Sequence, residues 1–182
     1  MPNWCMNKVR IRADSKTLSE IKDTLRGLEY FRPVNCDDRK IQLPLESKES
    51  LFSFHKIIPQ PDDCLDPEDP RRVNAKPTSD DLLESLSKKS NGTMPDWWTW
   101  RVNNWGTKWP VGDTVGFEEK KGSIVYHFDT AWSPPVPIIH RLSVMFPKAN
   151  ILLSFYEPGC IGRGSVTFKN GIIINETGVG VD

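Results

Sequence analysis

Residues 117–135 read FEEKKGSIVYHFDTAWSPP, and this stretch decides the fold class of the 182-residue chain. Two runs with strand character, at residues 117–120 and 123–132, lie on either side of a Lys-Gly pair. Such a short, glycine-containing connection joins neighbouring strands that run in opposite directions. The stretch therefore predicts a hairpin within an antiparallel sheet.

The segments downstream of this hairpin extend the same pattern. Ser133 can cap a helix whose first turn tolerates Pro134 and Pro135, and Pro147 ends that helix. Further strands are predicted at residues 151–156, 165–169 and 172–174, the last two joined by the hairpin turn Asn170-Gly171. The order predicts an α+β fold with helices packed on one face of a mainly antiparallel sheet, and a ferredoxin-like arrangement is the natural candidate.

The chain begins with a strand and a helix. Alternation at residues 5–13 predicts a half-buried strand that turns Val9 and Ile11 towards the core. Apolar residues at helical spacing follow Asp14 or Ser15 as the N-cap, and a second strand is predicted at residues 50–57.

The middle of the chain departs from these patterns. Residues 59–78 are rich in Pro and Asp and show no periodicity, which predicts a surface loop. A capping box at residues 78–81 then predicts a short helix. We expect one α+β domain over residues 1–182, with the loop inserted into it.

The composition restricts the classes of function. Lys plus Arg and Asp plus Glu number 24 each, so the chain lacks the basic excess of many proteins that bind duplex DNA. No stretch has the length and apolarity of a membrane span, and the N-terminal MPNWCMNKVRIRA lacks the apolar core of a secretion signal. These features predict a cytoplasmic globular protein and leave its oligomeric state open.

The four cysteines lie far apart, at positions 5, 36, 64 and 160, and form no CxxC pair. In a reducing cytoplasm this spacing predicts isolated thiols, because zinc sites use close ligand pairs. We therefore expect neither a metal nor a cofactor.

Residues 95–109, PDWWTWRVNNWGTKW, carry five of the seven tryptophans. A helix from Asp96 to Trp105, ended by Gly106, is predicted, and apolar residues at helical spacing usually face a core. The residues assigned to an aromatic core are Trp4, Trp98, Trp105, Trp109 and Trp132. The residues assigned to partner binding are Trp97, Trp100, Arg101, Asn104 and Lys108, since aromatic rings beside a guanidinium suit stacking on a base or on a partner's side chain.

His127 and Asp129 lie two residues apart on one face of a predicted strand. An Asp beside a His can fix the tautomer of the imidazole and raise its basicity, so the pair is a candidate for acid–base catalysis. The alternative is that both side chains simply face solvent, because no nucleophile or substrate contact is identified.

Four short blocks carry a family resemblance: MPNWC at the start, NNWGTKW at residues 103–109, FDTAWSPP at 128–135 and SFYEPG at 154–159. Together, and in this order, they resemble the YubB-like family of small phage- and plasmid-borne proteins. The resemblance implies a ferredoxin-like domain and an origin on a mobile element. It implies no activity and no catalytic residue.

The leading hypothesis is a non-enzymatic phage or plasmid accessory protein that binds a host protein, with counter-defence as one role. A second hypothesis is single-stranded nucleic-acid binding by a sheet that exposes Tyr126 and Phe128. A third is a small enzyme in which His127, Asp129 and Arg101 converge on one pocket.

Overall fold

The computed structural model describes residues 3–31, 46–61, 64, 96–111, 115–159 and 161–178. Its strands are β1 (Trp4–Arg12), β2 (Gly27–Phe31), β3 (Glu46–Ser50), β4 (Gly116–Lys120), β5 (Ser123–Ala131), β6 (Asn150–Glu157), β7 (Gly162–Lys169) and β8 (Ile172–Gly178). Its helices are α1 (Ser15–Leu25), α2 (Phe54–Ile57), α3 (Trp97–Trp105) and α4 (Val136–Met145).

Six of the strands form one antiparallel sheet in the order β4-β5-β1-β6-β7-β8. The first strand lies in the middle, hydrogen-bonded to β5 on one side and to β6 on the other. The hairpins predicted at residues 121–122 and 170–171 are confirmed, with Gly122 and Gly171 at positive φ. Strands β2 and β3 form a separate two-stranded sheet.

The helices cover one face of the six-stranded sheet, as predicted. Along β1 the buried positions alternate, so Val9 and Ile11 point into the core while Lys8 and Arg12 stay outside. Buried residues from all four helices join the inward-facing residues of β1, β5, β6 and β7 in a single apolar cluster. The predicted α+β class is confirmed.

Local hydrogen bonds explain where α1 and α3 begin. The Asp14 carboxylate accepts from the Thr17 N–H at 2.9 Å, and the Asp96 carboxylate accepts from the Trp98 and Thr99 N–H groups. Both aspartates satisfy amides that a first helical turn leaves without a partner. Gly106 ends α3 at φ +79°, a left-handed conformation that glycine adopts without strain.

The strand predicted at residues 50–57 is wrong. Its first residue ends β3, and Phe54–Ile57 forms the short helix α2 instead. The Ser50 hydroxyl accepts from the Phe52 N–H at 3.1 Å, which turns the backbone out of the strand.

The N-cap predicted at Ser133 is wrong. Ser133 does not cap α4, whose N-cap is Pro135; its hydroxyl donates to the Gly106 carbonyl and ties the start of that helix to the end of α3. The loop at residues 59–78 and the helix after it fall almost entirely outside the described residues.

Candidate functional site

The face of the large sheet opposite the helices, called here the outer face, is open in the part of the chain that the structure describes. Met6, Lys8 and Arg12 of the central strand are exposed on it, as are Tyr156 of β6 and Arg163 of β7. A sheet usually buries one face and leaves the other to solvent. Here the solvated face carries long cationic and aromatic side chains.

One row of polar side chains crosses the outer face from strand to strand. Lys8 is paired with His127 on β5 and with Ser154 on β6, and Ser154 is paired with Ser165 on β7. Ser165 is paired with Thr177 on the edge strand, and their hydroxyl oxygens lie 2.7 Å apart. The row therefore places an ammonium group and hydroxyl donors side by side.

A second row runs beside the first and carries the aromatic side chain. Met6 is paired with Asp129 on β5 and with Tyr156 on β6, and Tyr156 is paired with Arg163 on β7. The Arg163 guanidinium carbon lies 5.3 Å from the centre of the Tyr156 ring, within cation–π range. The Tyr156 side chain is 40% exposed, so its ring remains accessible.

The two rows line a recess of about 680 Å³ on the outer face. Its walls include Met6, Lys8, Tyr156, Arg163 and Ser165. A buried carboxylate fixes the turn between β6 and β7, since Glu157 accepts from the Gly159 N–H at 2.7 Å and from the Ile161 N–H at 2.9 Å. The register places further cations on the same face, namely Arg10, Arg12 and Lys169.

Acidic groups lie towards the β4–β5 side of the outer face. Desolvation raises the pKa of the Asp129 carboxyl above its ordinary value. Lys120 holds the pKa of Glu118 below its ordinary value, with a smaller contribution from His127. The His127 Nε2 atom lies 3.3 Å from a Glu118 carboxylate oxygen.

The acid–base site predicted from His127, Asp129 and Arg101 does not assemble. His127 and Asp129 share the outer face as expected, but the ring nitrogen of His127 contacts Glu118. Arg101 lies in the helix layer on the other side of the sheet, 2% exposed. Arg101 therefore does not converge with His127 and Asp129 on one pocket.

The prediction that Tyr126 and Phe128 are exposed for base stacking is also wrong. Tyr126 and Phe128 are buried on the inner face, where both rings pack against Phe52. The exposed aromatic residues of the described sheet are Trp4, Phe117 and Tyr156, and of these Tyr156 lines the recess. Sequence reasoning placed Tyr156 in a strand without a role. Alternation within one strand cannot show which face is covered, because that depends on where the helices pack.

Aromatic rings and cations alternate from the core to the outer face, in a chain called here the ladder. Trp105 is buried and donates its indole N–H to the Ile58 carbonyl at 3.0 Å. The Arg101 guanidinium carbon lies 5.1 Å from the Trp105 ring and 5.2 Å from the Trp97 ring. Lys108 Nζ lies 5.9 Å from the Trp97 ring and 5.0 Å from the Trp109 ring. The ladder ends where Trp109 meets Trp4, with 6.1 Å between ring centroids.

This geometry corrects the set predicted to bind a partner. Trp100 is 9% exposed and Arg101 is buried with its Nε–H donated to Gln60, so neither presents a contact surface. Asn104 donates back to the Trp100 carbonyl at 2.9 Å within the helix. Trp97 and Lys108 are half-buried members of the ladder.

Some of the tryptophans assigned to the aromatic core are, by contrast, exposed. Trp105 is buried as predicted, and Trp109 is half-buried. Trp98 is 48% exposed, Trp132 is 49% exposed and Trp4 is 37% exposed, so the core assignment is wrong for these three. Spacings of three and four residues allow more than one buried stripe on α3, and the stripe that includes Arg101 and Trp105 is the buried one.

A second titratable pair lies apart from the outer face and was not predicted. The His55 Nδ1 atom lies 3.0 Å from the Glu29 carboxylate, which is buried, and the His55 ring packs edge-on against Trp105. Sequence reasoning had placed His55 in an ordinary strand, because the α2 turn that brings it to Glu29 was missed.

No helix among the described residues is long and apolar enough to cross a membrane. Within the same residues, no group of three or more His, Cys, Asp or Glu side chains is arranged to hold a metal ion.

Comparison with known proteins confirms the predicted ferredoxin-like architecture. Residues 104–179 match the family model described as "Ferredoxin-like domain in Api92-like protein". The crystal structure of a protein api92 from Yersinia pseudotuberculosis matches with a TM-score of 0.57 and 11% identity, over 100% of this chain and 99% of that one. No curated protein shows significant sequence similarity. At this identity the likeness shows the fold alone, and the YubB-like name and mobile-element origin stay predictions.

Proposed function

We propose that this protein binds single-stranded nucleic acid on the outer face of its six-stranded sheet. The observation that carries the proposal is the exposed Tyr156 ring, which has Arg163 against it and stands in a recess beside Lys8. Sheets of this class bind unpaired bases by stacking them on exposed aromatic rings, while cations nearby contact the phosphates.

The polar row across the recess supports a phosphate-bearing ligand. Lys8 contributes a positive charge, and the hydroxyls of Ser154 and Ser165 on neighbouring strands can donate hydrogen bonds to phosphate oxygens. These side chains stand next to Tyr156, so a base on the ring would bring its own phosphate over the row.

The net charge of the chain is zero, but cations are concentrated on the outer face. Lys8, Arg10 and Arg12 project from one strand onto the outer face, and Arg163 and Lys169 project from β7. The acidic Asp129 and Glu118 lie to one side, on β5 and β4. Local concentration of cations, more than net charge, governs where a polyanion binds.

A single strand fits this surface better than a duplex does. Stacking on Tyr156 requires a base whose face is free, and bases within a duplex already stack on one another. The recess contains the exposed Tyr156 ring with the Arg163 guanidinium over it, and stacked aromatic and cationic groups of this kind hold unpaired bases.

Fluorescence anisotropy with a labelled oligothymidylate tests the proposal. Wild type should bind the single strand more tightly than the matching duplex, and Tyr156→Ala should weaken single-strand binding by roughly tenfold, given a stacking contribution of about 1–3 kcal/mol per base. Trp98→Ala is the matched control, because it also removes an exposed ring, but from α3, outside the recess. Absence of binding by wild type, or an equal loss in both variants, would overturn the proposal.

Binding of a host protein is the second candidate, and one observation favours it. Trp98 and Val102 are exposed one turn apart on α3, which leaves an apolar strip outside the ladder. On this proposal the protein is a phage- or plasmid-encoded accessory protein that acts in the host cytoplasm in a counter-defence role. Such a protein would use the apolar strip to anchor a host partner.

Affinity purification from a nuclease-treated bacterial lysate separates the two candidates. A host protein that wild type and Tyr156→Ala retain in equal amounts, and that Trp98→Ala loses, would support the second candidate. Retention by Trp98→Ala would remove it, since the strip would then make no contribution to binding.

A further inference from the structure

The outer face extends beyond the recess to Trp4. Met6 is paired with Tyr156, and Trp4 lies two residues before Met6 on the same strand, so its side chain leaves the sheet on the same face. Diagonal neighbours on one face of an antiparallel pair lie about 7–8 Å apart. Trp4 and Tyr156 therefore stand close together, with Met6 beside both.

Trp4 forms an aromatic and cationic group of its own. Its ring is tilted by 43° to the Trp109 ring at a centroid distance of 6.1 Å, and Lys108 Nζ lies 5.0 Å from the Trp109 ring. Trp4 is 37% exposed, so part of its indole face remains accessible. The outer face thus has two aromatic groups, each with a cation: Tyr156 with Arg163, and Trp4 and Trp109 with Lys108.

The fold holds the second group in place. The Thr107 hydroxyl donates to the Ala131 carbonyl at 2.8 Å, which fixes the segment carrying Lys108 and Trp109 to the end of β5. Lys108 also contacts Trp97, which belongs to the ladder that leads to the buried Trp105. A ring fixed before binding loses little conformational freedom when a ligand stacks on it.

Building on the proposed function, we infer that Trp4 and Trp109 form a second base-stacking station, so that one single strand is held at two points. A strand long enough to reach both stations places one base on Tyr156 and another on the Trp4 indole. The second contact is then intramolecular, and affinity rises once the strand spans both rings. The ligand class is a single-stranded oligonucleotide, and a mononucleotide would occupy one station only.

Titration with oligothymidylates of increasing length tests this inference. For wild type, affinity should increase stepwise at the length that first spans both stations, and tryptophan fluorescence should be quenched above that length. Trp4→Ala should abolish the step, with a loss of roughly tenfold for strands that span both stations and none for binding of a mononucleotide at Tyr156, as expected when one stacking contact is lost. Lys108→Gln should reduce the step without removing a ring.

The controls separate this inference from the function on which it rests. Tyr156→Ala should weaken binding at every length, whereas Trp98→Ala should leave the length curve unchanged. Superimposable curves for wild type and Trp4→Ala, with both binding, would overturn the second station alone. No binding of any oligothymidylate by wild type would overturn the proposed function and the second station together. If Trp4→Ala fails to fold, as judged by circular dichroism, the Lys108→Gln curve decides: a step as large as that of wild type overturns the inference.

Discussion

Replacing Lys8 with Gln should weaken single-strand binding about fourfold at physiological salt, and the outer face supplies the basis for this figure. Each phosphate neutralised on a single strand contributes about −0.7 to the slope of log affinity against log salt concentration. Besides Lys120, which is paired with the Glu118 carboxylate, the register places five cations on the outer face, namely Lys8, Arg10, Arg12, Arg163 and Lys169. If all of them contact phosphate, the slope is about −3.5 for wild type and about −2.8 for Lys8→Gln.

The affinity ratio follows from the difference in slope. The two proteins should bind about equally near 1 M salt, so a slope difference of about 0.7 gives a factor of about four at 0.15 M. Fluorescence anisotropy of a labelled oligothymidylate, titrated across this range of salt, measures both quantities. Lys16→Gln is the matched control, because Lys16 is also exposed but lies on α1 in the helix layer.

Two results would refute this reasoning. An unchanged slope in Lys8→Gln would show that Lys8 contacts no phosphate, although it lies in the middle of the recess. An equal loss in Lys16→Gln would show that binding follows net charge and not the outer face.

Three further predictions concern charge, reactivity and backbone conformation. Asp129→Asn should tighten single-strand binding by roughly twofold to fivefold at neutral pH, because it removes a surface charge of the same sign as phosphate. Since the pKa of the Asp129 carboxyl is raised, this gain in affinity should shrink as the pH falls through that pKa and the wild-type carboxyl becomes neutral. A gain in affinity that does not change with pH would contradict the electrostatic explanation. Burial raises the pKa of the Cys5 thiol to about 12, so peptide mapping after iodoacetamide treatment at mildly alkaline pH should find Cys5 unmodified in the native protein and modified after denaturation; native labelling would contradict the burial. Gly106→Ala should destabilise the fold by more than the ~1–2 kcal/mol that a left-handed alanine costs, because the new Cβ would lie 2.7 Å from Pro137 Cδ. Gly122 has a similar φ but open space around it, so Gly122→Ala should lose only the ~1–2 kcal/mol of the left-handed conformation. Equal midpoints of the two variants in urea denaturation would refute the steric argument.

Most of the fold could be predicted because its signals are local. The alternation around Val9 and Ile11, the helix start near Asp96 and the Asn170-Gly171 turn each depend on a few neighbouring residues, and each forms close to where it was predicted. The failure at residues 50–57 has a physical reason, since the Ser50 hydroxyl bond that redirects the chain competes with strand pairing in a way that composition does not reveal.

The site was harder to predict because it is assembled by register. Ser154 and Ser165 lie on consecutive strands, but Lys8 is far from both in sequence and meets them on the outer face through the pairing of β1 with β6. The tryptophan stretch was ambiguous for a different reason: Arg101 is charged, and a charged side chain predicts a solvent-facing position. Contacts with two indole rings and a hydrogen bond to Gln60 make the burial of Arg101 favourable. The ladder therefore begins in the core at Trp105 and ends at the surface at Trp4.

Photochemical cross-linking tests the central claim most directly. A single-stranded oligonucleotide that carries 5-iodouracil is bound at saturation, irradiated and digested, and the modified residue is identified by mass spectrometry. The account predicts a cross-link at Tyr156, with a second at Trp4 when the strand is long enough. Cross-links confined to the helix layer, for example at Trp98, would contradict the claim that the outer face is the binding surface.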